Sequence, residues 1–242
     1  MIIVLGIITV IIFFLFFYKK QNPDNGFCNS LDCVRCSPVF SDIKSMCENK
    51  QRIKLKKGQI WKEPGLSDLP PYPELKTLLS PFIIENLQNS IEIFKKDFES
   101  LSKVHNNLNS PWQKTFVMNQ GQWTGKCLNT KNTLRKILNE GSVSPHNLLL
   151  EDNIFGNVLF STITDKITPH YGPTNFRLRL QICLEENDNF EMVCDNKSKK
   201  WVKNGMFLLN DWLLHEVIKI NPKVSSKRSV LIIDLNRKYE NI

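Results

Sequence analysis

The spacing of apolar residues changes along the chain, and each change predicts a different kind of element. Residues 1–18 form an almost unbroken apolar run, MIIVLGIITVIIFFLFFY. As a helix this run would rise about 27 Å and nearly match the ~30 Å hydrocarbon layer of a bilayer. We therefore predict a single transmembrane anchor. The alternative, a cleaved signal peptide, is disfavoured because no basic region precedes the run and no small-residue cleavage site follows it.

Residues 19–73 are polar and predict a membrane-proximal linker. The linker carries four of the seven cysteines, Cys28, Cys33, Cys36 and Cys47. Their C-x4-C-x2-C spacing is typical of plant-type iron–sulfur proteins, and a fourth cysteine follows, so an electron-transfer protein is one hypothesis. The same residues could hold zinc or form two disulfides. Disulfides are favoured in an oxidising compartment and metal in a reducing one.

From residue 74 onward the chain predicts a domain, and its first part has helical spacing. Ser80 is a candidate N-cap and Pro81 suits the first helical position. The apolar stripe that follows predicts one continuous helix with a buried face: Leu87, Ile91, Phe94, Phe98 and Leu101. A second helix is predicted over residues 131–140, with Leu134, Ile137 and Leu138 facing the core.

Beyond about residue 155 the apolar period becomes two. Strands are predicted over residues 155–163, 174–184, 206–210 and 228–236. Several short strands without intervening helices favour an antiparallel barrel or jelly roll, here with a β-core over about 155–236. In the second strand, Arg177, Arg179 and Gln181 alternate with apolar residues. We expect the apolar face to pack outward and the polar face to line a cavity; the alternative is a surface strand whose polar face meets water.

Charge and glycosylation signals bear on partners and compartment. The net charge is +8, but Lys and Arg are spread along the chain without a basic block interleaved with aromatics, so nucleic-acid binding is excluded. Lys19 and Lys20 follow the apolar run and favour a cytosolic domain. The cysteines and the sequon Asn196-Lys197-Ser198 favour a lumenal domain. The sequence leaves both topologies open; our expectation is a single-pass type II glycoprotein with its domain in the ER or secretory lumen.

Two histidines and several arginines within the β-rich region carry the candidate chemistry. Imidazole binds transition metals and guanidinium binds carboxylates, a combination that suits a metal working with a keto-acid cosubstrate. His170 directly precedes the arginine-bearing strand, and His215 follows another strand by a short loop. In a double-stranded β-helix these places meet across the barrel mouth. The usual non-haem iron site adds a carboxylate two residues after the first His, where this chain has Gly172.

These residues resemble the aspartyl/asparaginyl β-hydroxylases, and more closely their short membrane-anchored relatives. The shared pattern comprises His170-x-Gly172-Pro173-Thr174-Asn175-x-Arg177-Leu178-Arg179, then His215-Glu216-Val217, then Arg228 before an apolar strand ending in Asp234. Two linker motifs match the short relatives, Cys33-Val34-Arg35-Cys36 and Pro64-Gly65-Leu66. The resemblance implies a mainly β fold, a double-stranded β-helix (jelly roll) with flanking N-terminal helices, preceded by the single transmembrane helix.

The resemblance also implies a reaction and its residues. It implies an Fe(II)- and 2-oxoglutarate-dependent dioxygenase that uses O2 to hydroxylate the β-carbon of Asp or Asn in protein substrates, in relatives small disulfide-rich domains. The iron would be held by His170 and His215 alone, as both metal ligands and catalytic residues. The cosubstrate would be bound by Ser161 and Arg228 at its distal carboxylate and by Arg179 near its keto group.

Two departures from the family pattern leave a second hypothesis open. Gln181 stands where the family usually has a His, and it can donate a hydrogen bond but cannot become cationic. The segment from Ser161 to His170 is also shorter than in the family. An inactive relative that acts as a binding module is therefore the alternative to an enzyme. In an active enzyme, Arg177 would bind the carboxylate of the substrate.

Overall fold

The computed structural model describes residues 55–105, 111–140 and 156–237, without the side chains of 102–105. The predicted anchor, the four linker cysteines and His146 lie outside these residues. Within the described ranges, no helix is both long enough and apolar enough to cross a membrane.

Four helices precede the main β-region: α1 (Leu75–Leu78), α2 (Pro81–Asn89), α3 (Ile91–His105) and α4 (Leu128–Glu140). Ser80 caps α2 by accepting a hydrogen bond from the Ile83 backbone, and Pro81 opens it, as predicted. The single long helix predicted from the stripe was wrong, because the helix ends at Ser90. The Ser90 carbonyl then accepts from the backbone N–H of Phe94, so one serine ends α2 and begins α3.

Helix α4 begins at Leu128, three residues before the predicted start. Its three predicted core residues are buried. The earlier start has a tertiary cause: the carboxylate of Asp97 on α3 accepts a hydrogen bond from the backbone N–H of Thr130 at 2.7 Å. Capping oxygens satisfy the unpaired N–H groups of a first helical turn. Here the cap comes from another helix, and local sequence does not reveal it.

Ten strands form two antiparallel sheets. The strands are β1 (Trp112–Asn119), β2 (Gln122–Trp123), β3 (Val158–Ile163), β4 (Ile167–His170), β5 (Arg177–Glu185), β6 (Phe190–Cys194), β7 (Lys197–Lys200), β8 (Met206–Leu209), β9 (His215–Lys219) and β10 (Arg228–Asn236). The six-stranded sheet has the order β2-β1-β3-β10-β5-β8, and the four-stranded sheet has the order β4-β9-β6-β7. A mainly β class with N-terminal helices is confirmed.

The predicted strands include the two longest, β5 and β10, but length alone does not separate predicted from missed strands, because β1, with eight residues, was not predicted. Strand β10 has the predicted bounds, and β3, β5 and β8 lie where strands were expected. Strand β5 starts later than predicted because Thr174 turns the chain, its hydroxyl accepting from the Phe176 backbone at 3.1 Å. Strands such as β7, whose four residues are all exposed, carry no apolar period and are held by pairing with β6.

The two faces of the six-stranded sheet have different environments. One face packs against α2, α3 and α4 through Leu178, Leu180 and Ile182 of β5. The other face meets the four-stranded sheet in a second buried cluster, which includes Cys183 of β5 and Phe190 of β6. The prediction that the apolar side of β5 packs against helices and its polar side faces inward is confirmed. Whatever the polar residues bind must therefore enter between the sheets.

Candidate active site

The two predicted histidine ligands lie side by side. Strands β4 and β9 are neighbours in the four-stranded sheet, and their register pairs His170 with His215. The ring centroids are 4.2 Å apart and the rings are inclined by 52°. Cross-strand pairs on one face bring their side chains together. The structure thus brings into contact two residues that are distant in sequence.

Both imidazole rings are held in the same way by the backbone. Nδ1 of His170 lies 2.8 Å from the carbonyl oxygen of Thr168. Nδ1 of His215 lies 2.9 Å from the carbonyl oxygen of Leu213. A carbonyl oxygen only accepts, so each Nδ1 carries the proton and the lone pair is on Nε2. A backbone hydrogen bond of this kind is how proteins fix the tautomer of a metal-binding His.

Gly172, at the position of the missing carboxylate, is enclosed by the chain. Its backbone N–H donates to the carbonyl oxygen of Asp211. A Cβ at this position would lie 2.5 Å from the carboxyl carbon of Asp211 and 2.5 Å from its backbone oxygen. An aspartate at 172 therefore does not fit without moving Asp211. In the part of the chain that the structure describes, no group of three or more His, Cys, Asp or Glu side chains is arranged to hold a metal ion.

Behind the histidines lies an ion-pair cluster of Arg177, Arg179, Asp211 and Asp234. Arg177 donates to Asp211 at 2.7 Å and to Asp234 at 3.0 Å. Nε of Arg179 lies 2.9 Å from Asp234 and 3.2 Å from Asp211. Burial alone would raise the pKa of Asp211, but the charges of Arg177 and Arg179 outweigh it and hold that pKa well below its usual range. The cluster is charge-balanced.

The cluster changes the interpretation of its two arginines. Arg177 is buried and holds both carboxylates. This geometry gives it a structural role and does not support the substrate contact predicted from the sequence. Arg179 is anchored through Nε, while its side chain remains 20% exposed. Of the two, Arg179 is the one whose guanidinium reaches solvent-accessible space.

Arg228, at the start of β10, is buried without such a carboxylate partner among the described residues. It is 1% exposed, and its Nε has no hydrogen-bond partner. No described acidic residue pairs with it; its guanidinium carbon lies 4.5 Å from the centroid of the Trp201 ring. Burial lowers its pKa to about 9. A buried cation without an anion is costly, and a bound anion would compensate it.

Ser161 and Gln181 lie on the same inner face as Arg228. Strand register pairs Ser161 with Val230, and Arg228 with Ile163, so these side chains share one side of the sheet. The Ser161 hydroxyl accepts from the indole of Trp112 at 3.0 Å. Gln181 accepts from the indole of Trp201 at 3.0 Å. The structure therefore brings Ser161, Gln181 and Arg228 to one interior wall.

Sequence reasoning gave no role to Asp211 or Trp201, and it predicted only a packing or pocket-wall role for Trp112. Asp211 could have been noticed because it lies four residues before His215 in the same loop. The two tryptophans carry no local signal, since their contacts depend on strand register and on the crossing between sheets.

The comparisons with known proteins agree with this geometry. A family model described as Aspartyl/Asparaginyl beta-hydroxylase matches residues 81–238, more than half of the chain. The chain belongs to this family. Aspartate beta-hydroxylase domain-containing protein 2 of Xenopus tropicalis is 25% identical over 258 residues, covering 90% of this chain and 68% of that protein. The Homo sapiens protein of the same description is 25% identical over 252 residues, covering 87% and 67%.

Similarity to solved structures is weaker. The Schizosaccharomyces pombe Cnp3 cupin domain has a TM-score of 0.28 and 7% identity, and the match covers 34% of this chain and 56% of that one. Because this TM-score is low, the β architecture is assigned from the strand order alone.

One part of the site lies outside the β-hydroxylase match. Residues 56–63, which we call the strap, cross the loops that carry both histidines. The backbone of Ile60 and of Trp61 donates to Pro173 just after His170. The Gln59 side chain donates to the Trp212 carbonyl just before His215, at 3.1 Å. These residues were predicted as linker, but in the structure they buttress both histidine-bearing segments.

Proposed function

We propose that this β-hydroxylase family member is an Fe(II)- and 2-oxoglutarate-dependent dioxygenase that hydroxylates Asp or Asn side chains of a protein substrate. One observation carries the proposal. Two imidazoles with backbone-fixed Nδ1 atoms lie in contact on the four-stranded sheet. A buried guanidinium, that of Arg228, lies on the six-stranded sheet without an acidic partner among the described residues. A metal and a dicarboxylate are the ligands that these two features would bind.

The strand order supports the finer fold assignment. Apart from the β6–β7 pair, which lies in one sheet, strands β3 to β10 alternate between sheets to give β3-β10-β5-β8 and β4-β9-β6-β7. We infer from this alternation a double-stranded β-helix, the jelly roll expected from the sequence. In such a fold the two sheets enclose a site between them, which fits the inward direction of the polar residues.

The residues present fit Fe(II). His170 and His215 would hold it through Nε2, because each Nδ1 is committed to a carbonyl oxygen. Iron prefers imidazole among protein ligands, and two protein ligands leave room for cosubstrate, dioxygen and water. When bound, iron with 2-oxoglutarate and O2 supplies the oxidising power for C–H hydroxylation. The protein supplies ligand orientation and the dry interior around it.

The dicarboxylate would span the interior wall. Arg228, with Ser161, suits the distal carboxylate because no acidic residue in the described ranges pairs with Arg228 and its Nε has no hydrogen-bond partner there. Arg179 suits the carboxylate beside the keto group, since it is fixed at Nε yet partly exposed. Gln181 suits the same end as a neutral donor, its oxygen being held by Trp201. Arg177 pairs with Asp211 and Asp234, so its contact with the substrate carboxylate stays a prediction.

The proposal also covers the class of protein substrate and the location of the chain at a membrane. Following the family resemblance, the substrate would be an Asp or Asn in a small disulfide-rich domain. The N-terminal apolar run would anchor the chain as a type II protein facing the secretory lumen. Asn196 of the sequon is exposed at the turn between β6 and β7, where a glycan would be accessible.

A turnover measurement distinguishes an enzyme from a non-catalytic binding module. Purified protein with Fe(II), 2-oxoglutarate and a library of folded disulfide-rich domains should release succinate and add one oxygen to an Asp or Asn. His170→Ala should abolish both signals, and Lys223→Ala on an exposed loop serves as the matched surface control. Binding of a domain without succinate release would support the module instead. Absence of both iron and 2-oxoglutarate binding would contradict the proposal.

A further inference from the structure

Trp201 lies where the chain crosses from β7 in one sheet to β8 in the other. Its side chain is buried in the cluster between the sheets. Its indole N–H donates to Oε1 of Gln181 at 3.0 Å. Its ring lies 4.5 Å from the guanidinium carbon of Arg228. One side chain therefore touches both residues assigned to opposite ends of the dicarboxylate.

The hydrogen bond decides which way the Gln181 amide points. An indole N–H can only donate, so it fixes the amide oxygen of Gln181 toward Trp201. The amide NH2 group must then point away from the indole. Only this orientation offers donors to a carboxylate; the flipped amide would present its oxygen and repel it. Trp201 thus makes a neutral glutamine usable at an anion site.

The contact between Trp201 and Arg228 limits the distance between the Arg228 guanidinium and the Gln181 amide. Strand register pairs Gln181 with Ile232, four residues along β10 from Arg228. Four residues of a strand span about 13 Å. Because Trp201 contacts both side chains, that of Arg228 must extend along the strand toward Gln181. The aromatic face also stabilises a cation that has no described acidic partner.

We propose that Trp201 is a positioning residue for dicarboxylate binding, which orients the Gln181 amide and fixes its separation from Arg228. This inference rests on the proposed function, because it takes 2-oxoglutarate as the ligand of both residues. It goes beyond that function by assigning affinity and chain-length selectivity to a residue that touches neither the metal ligands nor the ion-pair cluster.

The two contacts of Trp201 can be separated by substitution. Trp201→Phe keeps an aromatic face for Arg228 but loses the indole N–H, and Trp201→Leu loses both. Titration of the Mn(II)-loaded protein by calorimetry should show 2-oxoglutarate affinity falling about fivefold for the first, as for one lost hydrogen bond. The loss should exceed about tenfold for the second, when the cation–π contact is also lost. Mn(II) affinity should change by less than about twofold, since neither variant touches His170 or His215.

A double-mutant cycle distinguishes positioning from general stability. If Trp201 acts through Gln181, then Trp201→Phe should have no further effect on 2-oxoglutarate affinity in a Gln181→Met background. Trp201→Leu should also raise the relative affinity for 2-oxoadipate, one methylene longer. The inference would be overturned if Trp201→Phe lowered 2-oxoglutarate affinity equally in the wild-type and Gln181→Met backgrounds. It would also be overturned if Mn(II) affinity fell as much as 2-oxoglutarate affinity.

The cycle also separates this inference from the proposed function. Wild-type protein that binds Mn(II) but not 2-oxoglutarate overturns both. Wild-type protein that binds 2-oxoglutarate while Trp201→Phe binds it equally well overturns only the role of Trp201. Circular dichroism and thermal unfolding of each variant check that losses of affinity occur in folded protein.

Discussion

Two groups of buried arginines on the inner face of β5 and β10 differ in one respect, their counterions. Arg177 and Arg179 share the two carboxylates of Asp211 and Asp234. Arg228 lies at the other end of β10, and none of the acidic residues that the structure describes neutralises it. Arg177 and Arg228 are equally buried, at 1% exposure each, but only Arg177 has described carboxylate partners.

This difference in counterions indicates that Arg177 stabilises the fold and that Arg228 binds a ligand. A buried ion pair is expensive to break, because removing one member leaves the other charge uncompensated. A lone buried cation is expensive to keep, and its removal relieves the desolvation cost. The fold should therefore depend on Arg177 and tolerate loss of Arg228, whereas dicarboxylate binding should show the reverse. Breaking either group tests the comparison.

The largest effect on stability is expected from Arg177→Met. This substitution leaves Asp211 and Asp234 with Arg179 alone, so the free energy of unfolding should fall by about 3–5 kcal/mol. Urea unfolding monitored by tryptophan fluorescence measures it. Lys223→Met, at an exposed loop, is the control and should change stability little. A loss as small as that of the control would remove the distinction between the two groups.

The next effect is on binding and comes from Arg228→Met. Affinity for 2-oxoglutarate should fall by about 100-fold, as for a lost charge-assisted hydrogen-bond pair. The free energy of unfolding should stay equal or rise, because an uncompensated charge is removed from the interior. Calorimetry and urea unfolding of the same preparation check the two halves. Lower stability with unchanged affinity would assign Arg228 to the fold.

Asp211 gives the cluster a pH dependence. Its pKa lies below the ordinary value of 3.8. A carboxyl with a depressed folded pKa contributes stability that is complete above the unfolded value and is lost as pH falls toward the folded one. Wild-type unfolding free energy should therefore decline below about pH 4, and Asp211→Asn should be less stable at pH 7 with a smaller decline. An identical acid profile for both proteins would contradict the electrostatic account of the cluster.

The smallest effect is expected from the strap. Gln59→Leu removes two hydrogen bonds, one to the Trp212 carbonyl beside His215 and one from the Lys56 backbone N–H, so stability should fall by about 2 kcal/mol. Mn(II) affinity should fall about threefold, since one histidine-bearing loop is held less firmly. Lys57→Leu, an exposed neighbour, is the matched control. Unchanged Mn(II) affinity would limit the strap to a purely structural role.

Sequence patterns predicted the parts of this molecule that depend on local periodicity. Strand β10 and the inward polar face of β5 follow from alternation, and the cap at Ser80 follows from its neighbours. The early start of α4 depends on a tertiary hydrogen bond from Thr130 to Asp97. The break at Ser90 interrupts an apolar stripe whose spacing continues across it, so the stripe does not reveal the break.

In the site, too, local sequence predicted some features, and others depend on tertiary structure. His170 and His215 were identified from motif order, and their contact depends on a register that no local pattern gives. Alternation placed Arg177 inward but could not reveal its pairing with Asp211 and Asp234, and its contact with substrate stays a prediction. The positioning of Gln181 by Trp201 depends on a chain crossing between sheets.

The most direct test of the central claim is an anaerobic titration of the protein with Fe(II) and 2-oxoglutarate, followed by visible absorbance. A 2-keto acid bound to Fe(II) gives a charge-transfer band. The account predicts this band at one iron per chain, its loss when both His170 and His215 are replaced by alanine, and its weakening in Arg228→Met. No band in the wild-type protein, or the same band after both histidines are removed, would contradict it.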